Sequence, residues 1–484
     1  MLKTMSPTPT QDSSRERAKG LIPCDLLIRN GYVVSMDERR RIFPNGTIAI
    51  DGRNIVAIGP DREIAAGYVS RSTLDARGGV VHPGFIDAHN HVVHGTCRGI
   101  FTSAAASADE PVTFADWKAG VTSADENIAT QLAGLEMLRH GFTTVIEPGT
   151  AFDPDAIAEG AEAVGIRALL AGCYLWDSLD GMSHLSGLGS AKLYERAPPS
   201  LDRCLDQLGN QLGRNDGGRV HGYVAVYGLG TASDELLRAA KAIALQAGVG
   251  FHQHEGYIPR ATRADRERLG KSRIQHLAEL GVLGPGSTLI HLNVLDDDDI
   301  QILADSGTTV VWCPLAYLQL GIAAAAPIRM PEMRHRGVAV ALGTDGAIDC
   351  TIGDAGPMAY MLAQSVQAPI TASDVLEMQT IGAARAAWLH DRIGSLEPGK
   401  RADIVIRQID AAESFPAVNP VHQLALNCRA GTVDTVIVDG EVAFRNGRST
   451  RVDEGTVHAE ARASVERRLA RLGLLPRLEW PVLE

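Results

Sequence analysis

The segment VVHPGFIDAHNH, residues 80–91, carries the strongest fold signal in the chain, because a short apolar run ends in two histidines. Seven further apolar runs follow it, and they end near residues 149, 174, 228, 255, 293, 314 and 345. Most of the intervening segments contain roughly 12–20 residues with apolar positions at helical spacing. Strands that are buried on both faces give unbroken apolar runs, so eight such units predict a parallel (β/α)8 barrel.

Hairpin-like segments flank this barrel at both ends of the chain. Residues 21–79 alternate apolar pieces with Asn-Gly and Asp-Gly turns, and residues 391–450 repeat that texture. We therefore expect an α/β fold in which residues 80–390 form a distorted TIM barrel and both chain ends build one small β-sandwich domain. Residues 1–20 are expected to form a mobile polar tail, and residues 451–484 a C-terminal helical extension.

Composition excludes several classes of protein. Hydrophobic residues make up 45% and charged residues 21% of the 484 residues, which is typical of a globular chain and not of a disordered one. No apolar run reaches the roughly 18–20 residues that a membrane span requires. A net charge of −12 argues against nucleic-acid binding. The seven cysteines are widely spaced, without a Cys-x-x-Cys motif, which predicts a cytoplasmic protein without disulfides.

Polar side chains follow several of the predicted strands, at the barrel end where catalytic groups lie. His89 and His91 are two residues apart and therefore face the same side of their strand, toward the barrel interior. A histidine from strand 5 and the carboxylate of Asp345 after strand 8 could converge on the same ion. A lone barrel histidine is more often an ordinary buried polar residue, but this set favours a catalytic divalent metal such as zinc.

The motifs PGFIDAHNH, HLNVLDDDDI, LGTDGA and IGSLEPGKRADIVI together resemble the amidohydrolase superfamily, over roughly residues 24–450. They are most similar to the branch that holds cytosine, guanine and S-adenosylhomocysteine deaminases and the triazine hydrolases. This resemblance implies a homo-oligomer with one divalent ion per subunit, most simply Zn2+, with Fe2+, Co2+ or Mn2+ as alternatives. It implies His89, His91, a strand-5 histidine and Asp345 as ligands, and His291 as the group that orients or polarises the attacked atom.

Strand 5 leaves its ligand open, because His252 and His254 lie on the same face. In the related deaminases a glutamate follows the strand-5 histidine by three residues, which would select His252 together with Glu255. The length of the run VGFHQH instead places His254 at the barrel mouth, and we favour that residue as ligand. Position 257 is then tyrosine, so Glu255 or Tyr257 must transfer any proton, with Gly256 permitting the necessary turn.

The segment after Cys313-Pro314 reads LAYLQLGIAAAAP, and its small apolar residues indicate a roomy pocket. Candidate substrate-contacting residues are His94, Arg98, Trp117, Tyr174, Trp176, His252, Tyr257, Trp312 and Tyr317.

These features predict a metal-dependent hydrolase that cleaves a carbon–nitrogen bond of a small, fairly apolar amide, urea or carbamate. Phenylurea and thiocarbamate hydrolases of the same wider family take such substrates. Asp345 would accept a proton from the attacking water, and a nearby acid would protonate the leaving nitrogen. The first alternative is a deaminase of an aminated heterocycle in which Glu255 shuttles the proton. The second is a non-catalytic binding protein on a dead barrel, against which the retained histidines and Asp345 argue.

Overall fold

The computed structural model describes residues 20–101, 113–185, 187–346, 348–408, 410–427, 429–475 and 480. Nearly all of the expected N-terminal tail and the last residues of the C-terminal extension lie outside the described residues. Within the described ranges no helix is both long enough and apolar enough to cross a membrane.

The strands, numbered in chain order, are β1 Ile22–Val34, β2 Ile42–Asp51, β3 Asn54–Pro60, β4 Tyr68–Asp75, β5 Val80–Pro83, β6 Phe85–Asp87, β7 Phe142–Ile146, β8 Arg167–Leu170, β9 Val220–Gly222, β10 Val224–Gly228, β11 Phe251–Glu255, β12 Ser287–His291, β13 Thr309–Trp312, β14 Ala339–Leu342, β15 Ile404–Arg407, β16 Val433–Val438, β17 Glu441–Arg445 and β18 Arg448–Ser449.

The α-helices are Asp61–Gly67, Phe114–Ala119, Ser123–His140, Pro154–Val164, Ala191–Arg196, Leu201–Gln207, Asp234–Ala247, Pro259–Leu269, Arg273–Glu279, Asp297–Ser306, Pro314–Gln319, Met330–His335, Ala355–Ser365, Ala372–Gln379, Ile381–Ala386, Pro420–Leu426 and Glu454–Leu472. Short 3-10 helices cover Val92–Cys97, Asp180–His184, Leu212–Arg214, Ile322–Ala324, Ile352–Asp354 and Ala430–Thr432.

The parallel strands form the predicted distorted barrel. One sheet has the order β6-β7-β8-β9 and the other β10-β11-β12-β13-β14. The two sheets meet at Tyr223, the one residue between β9 and β10. On the opposite side the Ala88 N–H donates to the Leu342 carbonyl at 3.0 Å, and Asn90 forms a parallel bridge with Asp345. Counting β9 and β10 as one interrupted strand gives the eight strands expected from the eight apolar runs.

Alanines and branched apolar side chains together fill the barrel interior. Ile86, Ala88, Ala171, Ala225 and Ala341 belong to one buried cluster with the helix Ile381–Ala386. That helix lies next to β14 and closes the end of the barrel opposite the strand carboxyl ends. The alanines leave room for the large polar residues that occupy the other end.

Both chain ends contribute to a separate nine-stranded sheet with the order β18-β17-β16-β15-β5-β1-β2-β3, in which β4 also pairs with β1. Strand β5 joins the two ends, because it pairs in parallel with β1 and antiparallel with β15. Sequence analysis assigned residues 80–83 to the barrel, whereas the structure places them in this terminal sheet. The barrel strand begins only at Phe85, because Gly84 separates the two strands.

A buried ion cluster joins the barrel to the terminal sheet. Arg167 on β8 binds Asp403 through two bonds of 2.9 and 3.0 Å, and its Nη2 also lies 3.3 Å from Asp439. The three side chains are between 1% and 3% exposed. Guanidinium and carboxylate groups so deep in a protein are tolerated only when they neutralise each other.

The C-terminal helix Glu454–Leu472 packs against the helix Ser123–His140. Its Arg468 is buried, stacks 3.7 Å from the centre of the Trp117 ring, and donates to the Thr96 hydroxyl at 3.0 Å. The helix thus supports two segments that lie beside the ends of the barrel strands.

We expect Arg167→Met to lower the free energy of unfolding by about 3–5 kcal/mol, because Asp403 and Asp439 would keep buried charges without their main cation. Urea denaturation measures this change. Arg238→Met, at an exposed position, is the matched control and should change stability by less than about 0.5 kcal/mol. Equal stability of the two variants would contradict the bridging role of Arg167.

Candidate metal centre and active site

Five side chains meet at the carboxyl ends of the barrel strands: His89, His91, His254, His291 and Asp345, here called the histidine–aspartate cluster. The centre of the His89 ring lies 4.9 Å from that of His91, 4.8 Å from that of His254 and 5.6 Å from that of His291. All five side chains are buried. The segment after β6 supplies two of them, β11 and β12 supply one each, and the segment after β14 supplies Asp345.

The possible ligand atoms converge on one point. Those of His89, His91 and His254 all lie within 4.8 Å of one another, and so do those of His89, His291 and Asp345. Asp345 Oδ1 is 3.2 Å from His91 Nε2 and 3.8 Å from His89 Nε2. His89 Nε2 is buried and has no hydrogen-bond partner among the described residues. A buried nitrogen without a partner is costly, and a metal ion would satisfy it.

A relay of hydrogen bonds fixes the orientation of His91. Its Nδ1 lies 2.7 Å from the Thr150 hydroxyl, which donates its single hydrogen to Glu147 at 2.5 Å. The hydroxyl can therefore only accept from His91, so the Nδ1 of His91 carries the hydrogen. Its Nε2 is left with a free lone pair directed at the cluster. Outer partners of this kind commonly orient metal-binding histidines.

Hydrogen bonding also distinguishes the two histidines of β11. His254 donates from Nδ1 to the Tyr227 carbonyl at 2.7 Å, which leaves its Nε2 free for an ion. His252 donates from Nε2 to the Ala386 carbonyl at 2.7 Å, and its ring packs against Tyr223. The side chain of His252 thus points to the closed end of the barrel, while that of His254 points to the cluster.

Burial keeps the cluster histidines neutral. Burial and the neighbouring histidines hold the pKa of His89 well below its usual range. Burial lowers the pKa of His291 to about 3, although the charge of Asp345 acts in the opposite direction. Neutral imidazoles with available lone pairs are the form that binds metal ions.

Two members of the cluster have an uncommon backbone conformation. The φ angles of His291 and Asp345 are +79° and +57°, in the left-handed region that side-chain-bearing residues seldom adopt. Such conformations cost about 1–3 kcal/mol each and concentrate at functional sites.

The carboxylate of Asp87 links the first barrel strand, β6, to the segment that follows the last one, β14. It accepts from the Thr344 hydroxyl at 2.5 Å, the Thr344 N–H at 3.0 Å and the Asn90 amide at 3.2 Å. Asn90 also donates to the Thr344 hydroxyl oxygen at 2.6 Å. Burial raises the pKa of Asp87 to about 7, against the lowering effect of these bonds.

Tyr257 reaches the cluster from the turn after β11. Its ring stacks on that of His291 with centres 3.9 Å apart, and its hydroxyl lies 3.4 Å from Asp345 Oδ2. Gly256, with a φ of +59°, makes the turn that this position requires. Burial raises the pKa of Tyr257 well above its usual value, so the hydroxyl stays protonated near neutral pH.

Glu255 does not reach the cluster, in contrast to the catalytic role expected for it. Strand β11 stays regular through Glu255, so this side chain points to the opposite face from His254. Its carboxylate lies 3.7 Å from Arg273 Nε and lines a pocket with Asp265 and Arg268. Burial raises the pKa of Glu255 to about 7.

The other predicted substrate-contacting residues have structural partners. Arg98 pairs with Glu136 through bonds of 2.7 and 3.1 Å. The Tyr317 hydroxyl donates to the Ala326 carbonyl at 2.6 Å. Trp312 and Trp176 are fully buried in the main core cluster. Substrate contact by these residues stays a prediction.

Three other predicted substrate-contacting residues are His94, Trp117 and Tyr174. His94 contacts a member of the cluster, and Tyr174 contacts a residue that packs on the cluster. The His94 ring stacks on that of His91 with centres 4.5 Å apart, and its Nε2 has no hydrogen-bond partner among the described residues. Trp117 stacks under Arg468, as described above. Tyr174 packs on Tyr227, whose ring contacts that of His254.

Sequence reasoning missed Glu147, Thr150 and Lys118. The first two follow the apolar run FTTVI, and polar residues at the end of a barrel strand were an available signal. Lys118 lies on the short helix Phe114–Ala119 and is 5% exposed. Nothing in its local sequence distinguishes it from a surface lysine.

Comparison with known proteins agrees with this geometry. The family model described as "Amidohydrolase family" matches residues 80–443. A 5-methylthioadenosine/S-adenosylhomocysteine deaminase of Symbiobacterium thermophilum is 31% identical, over 91% of this chain and 98% of that protein. A 5'-deoxyadenosine deaminase of Methanosarcina mazei is 29% identical, over 93% of this chain and 99% of that protein.

Solved structures show the same architecture. An adenosine deaminase from Xanthomonas campestris with bound zinc has a TM-score of 0.79 and 25% identity, covering 93% of this chain and 100% of its own. A mutant of the atrazine chlorohydrolase TrzN from Arthrobacter aurescens, complexed with zinc and atraton, has a TM-score of 0.75 and 25% identity, covering 91% and 100%.

These results confirm three predictions: a metal-binding site, a small-molecule substrate and a hydrolase that acts on carbon–nitrogen bonds. Non-catalytic binding on a dead barrel is not supported, because the histidine–aspartate cluster is complete. The family model covers most of the chain, and the sequence relatives cover nearly all of it. The chain therefore belongs to the amidohydrolase family, as its motifs indicated.

Proposed function

We propose that the histidine–aspartate cluster binds one Zn2+ ion per subunit, through His89, His91, His254 and Asp345, and that the enzyme hydrolyses a small amide, urea or carbamate. The position of Tyr257 is the observation that favours this substrate class. It contacts His291 and Asp345 at the place where the related deaminases are expected to have a glutamate. A phenol that stays protonated can donate a proton but is a poor base for repeated shuttling.

The chemistry divides among a few groups. A bound divalent ion would polarise the attacked group as a Lewis acid and would lower the pKa of its bound water, so that hydroxide is available near neutral pH. Asp345 takes the proton from the attacking water. His291, neutral near pH 7, hydrogen-bonds the attacked atom. Tyr257 donates a proton to the leaving nitrogen and regains one from the protonated Asp345, whose Oδ2 lies 3.4 Å from its hydroxyl. Thr150 and Glu147 keep His91 in the orientation that this arrangement requires.

Deamination of an aminated heterocycle is the second candidate, and the deaminase names of the sequence relatives favour it. Purified zinc-loaded protein should be assayed against aryl amides, ureas and carbamates and against aminopurines, aminopyrimidines and aminotriazines. We expect turnover in the first panel. Ammonia release confined to the heterocycles would reject the proposed substrate class and leave the metal site intact. The cytoplasmic location and the homo-oligomer remain predictions.

Replacing His89 or His91 with alanine should remove a ligand, and with it the metal and the turnover, while circular dichroism stays near that of the parent. Metal content after dialysis, measured by atomic emission, tests this expectation. Near-parental activity in either variant, with the ion still bound, would refute the ligand set.

The two histidines of β11 give a sharper test of the site. His254→Ala should lose metal and activity together. His252→Ala should keep the metal and lose about 1–3 kcal/mol of stability, because the Ala386 carbonyl would keep only the long 3.4 Å bond from the Thr288 hydroxyl. The two variants serve as controls for each other. Metal loss in His252→Ala, with retention in His254→Ala, would reverse the assignment.

Tyr257→Phe removes one hydroxyl and should lower kcat by about 10²-fold or more, because a positioned acid contributes that much to proton transfer. Glu255→Gln should lower kcat by less than tenfold, since its carboxylate faces Arg273 and not the cluster. Both rates should be measured on the best substrate of the panel. The reverse ranking of the two variants would assign the proton transfer to Glu255.

A further inference from the structure

Lys118 is a buried cation with no carboxylate at ion-pair distance among the described residues. Its side chain lies on the helix Phe114–Ala119 and is 5% exposed. Its nearest hydrogen-bond acceptor among the described residues is the Leu188 carbonyl at 3.5 Å, longer than a normal hydrogen bond. Its other neighbours are the rings of Phe114 at 5.3 Å and Tyr174 at 5.9 Å.

Ring contacts connect Lys118 to the metal centre on two sides. On one side Phe114 lies 4.7 Å from His94, which stacks on His91. On the other side Tyr174 lies 5.8 Å from Tyr227, which packs 5.2 Å from His254. Two series of ring contacts therefore connect the ammonium group to proposed metal ligands. One leads through Phe114 to His91, and the other leads through Tyr174 to His254.

The pKa values of Lys118 and of the neighbouring histidines agree with a location of Lys118 beside the metal centre. Burial lowers the pKa of His91, His94 and His254, and the charge of Lys118 adds to that lowering. Burial lowers the pKa of Lys118 itself to about 8, although Asp345 and Cys97 oppose that shift. The amine thus remains mostly protonated at neutral pH.

An ammonium group in such surroundings is expensive to bury, because it gives up water and gains little in return. It carries three donors, and the described residues offer one long contact to a carbonyl. Buried lysines of this kind close to catalytic groups are candidates for ligand binding.

We propose that Lys118 binds an anionic group of the substrate, a carboxylate, while the scissile carbon–nitrogen bond lies at the histidine–aspartate cluster. The proposal rests on the proposed function and narrows its substrates to amides, ureas or carbamates that also carry an acid. The rings of Phe114 and Tyr174 exclude water from the ion pair and so strengthen it.

Binding of bifunctional probes tests this proposal without turnover. The monohydroxamates of succinic, glutaric and adipic acid carry a metal-chelating hydroxamate at one end and a carboxylate at the other. Their methyl esters are the matched neutral probes. Calorimetry on the zinc-loaded protein should show at least one acid binding about tenfold or more tightly than its ester, as expected for a charge-assisted hydrogen bond.

Lys118→Met should abolish the preference for the acid and leave ester binding unchanged, which also shows that the site is folded. Lys118→Gln is a second neutral variant should the first misfold. Lys192→Met, at an exposed position on a neighbouring helix, is the control and should keep the preference.

Three outcomes would overturn the proposal. Esters that bind as tightly as their acids throughout the series would reject the anion site and leave the proposed function standing. A preference that persists in Lys118→Met would assign the anion to another residue. Failure of every probe, the esters included, to bind the zinc-loaded protein would reject the metal site and the proposed function with it.

Discussion

The buried carboxylate of Asp87 is the constraint on which the site depends. It holds the segment that carries His89 and His91, from the first barrel strand, against Thr344 and Asp345, which follow the last one. These residues are some 250 positions apart in the chain, and no continuous ladder of strand bonds joins their strands in the part of the chain that the structure describes. Backbone bonds also join the two segments, among them one of 2.8 Å from the Asp345 N–H to the His89 carbonyl, and the bonds from Asp87 add side-chain links to this junction.

Orientation of the imidazoles is the second requirement. A carbonyl of β10 binds the inner nitrogen of His254, and the relay through Thr150 does the same for His91. In each ring one nitrogen is used by the protein and the other faces the cluster. Small interior residues, such as Ala88 and Ala341, leave the space in which these rings meet. The barrel, the outer hydrogen bonds and the donor set therefore act as one unit.

Periodicity in the sequence was sufficient to predict the eight strands, the terminal sheet and the facing of His89 and His91. It could not separate His252 from His254, because both face inward and only depth in the barrel distinguishes them. The helix Ile381–Ala386, whose Ala386 carbonyl accepts from His252, distinguishes the two residues in the folded chain. The burial of Lys118 could not be predicted from the sequence, because the ring of Tyr174 beside it comes from a distant part of the chain.

Anomalous diffraction at the zinc edge, from crystals grown with zinc, would show directly which side chains bind the ion. We expect one peak bonded to the Nε2 atoms of His89, His91 and His254 and to Asp345, at nitrogen distances of about 2.0–2.1 Å. His252 should keep its hydrogen bond to the closed end of the barrel. A peak bonded to His252, or one located away from His89 and His91, would contradict it.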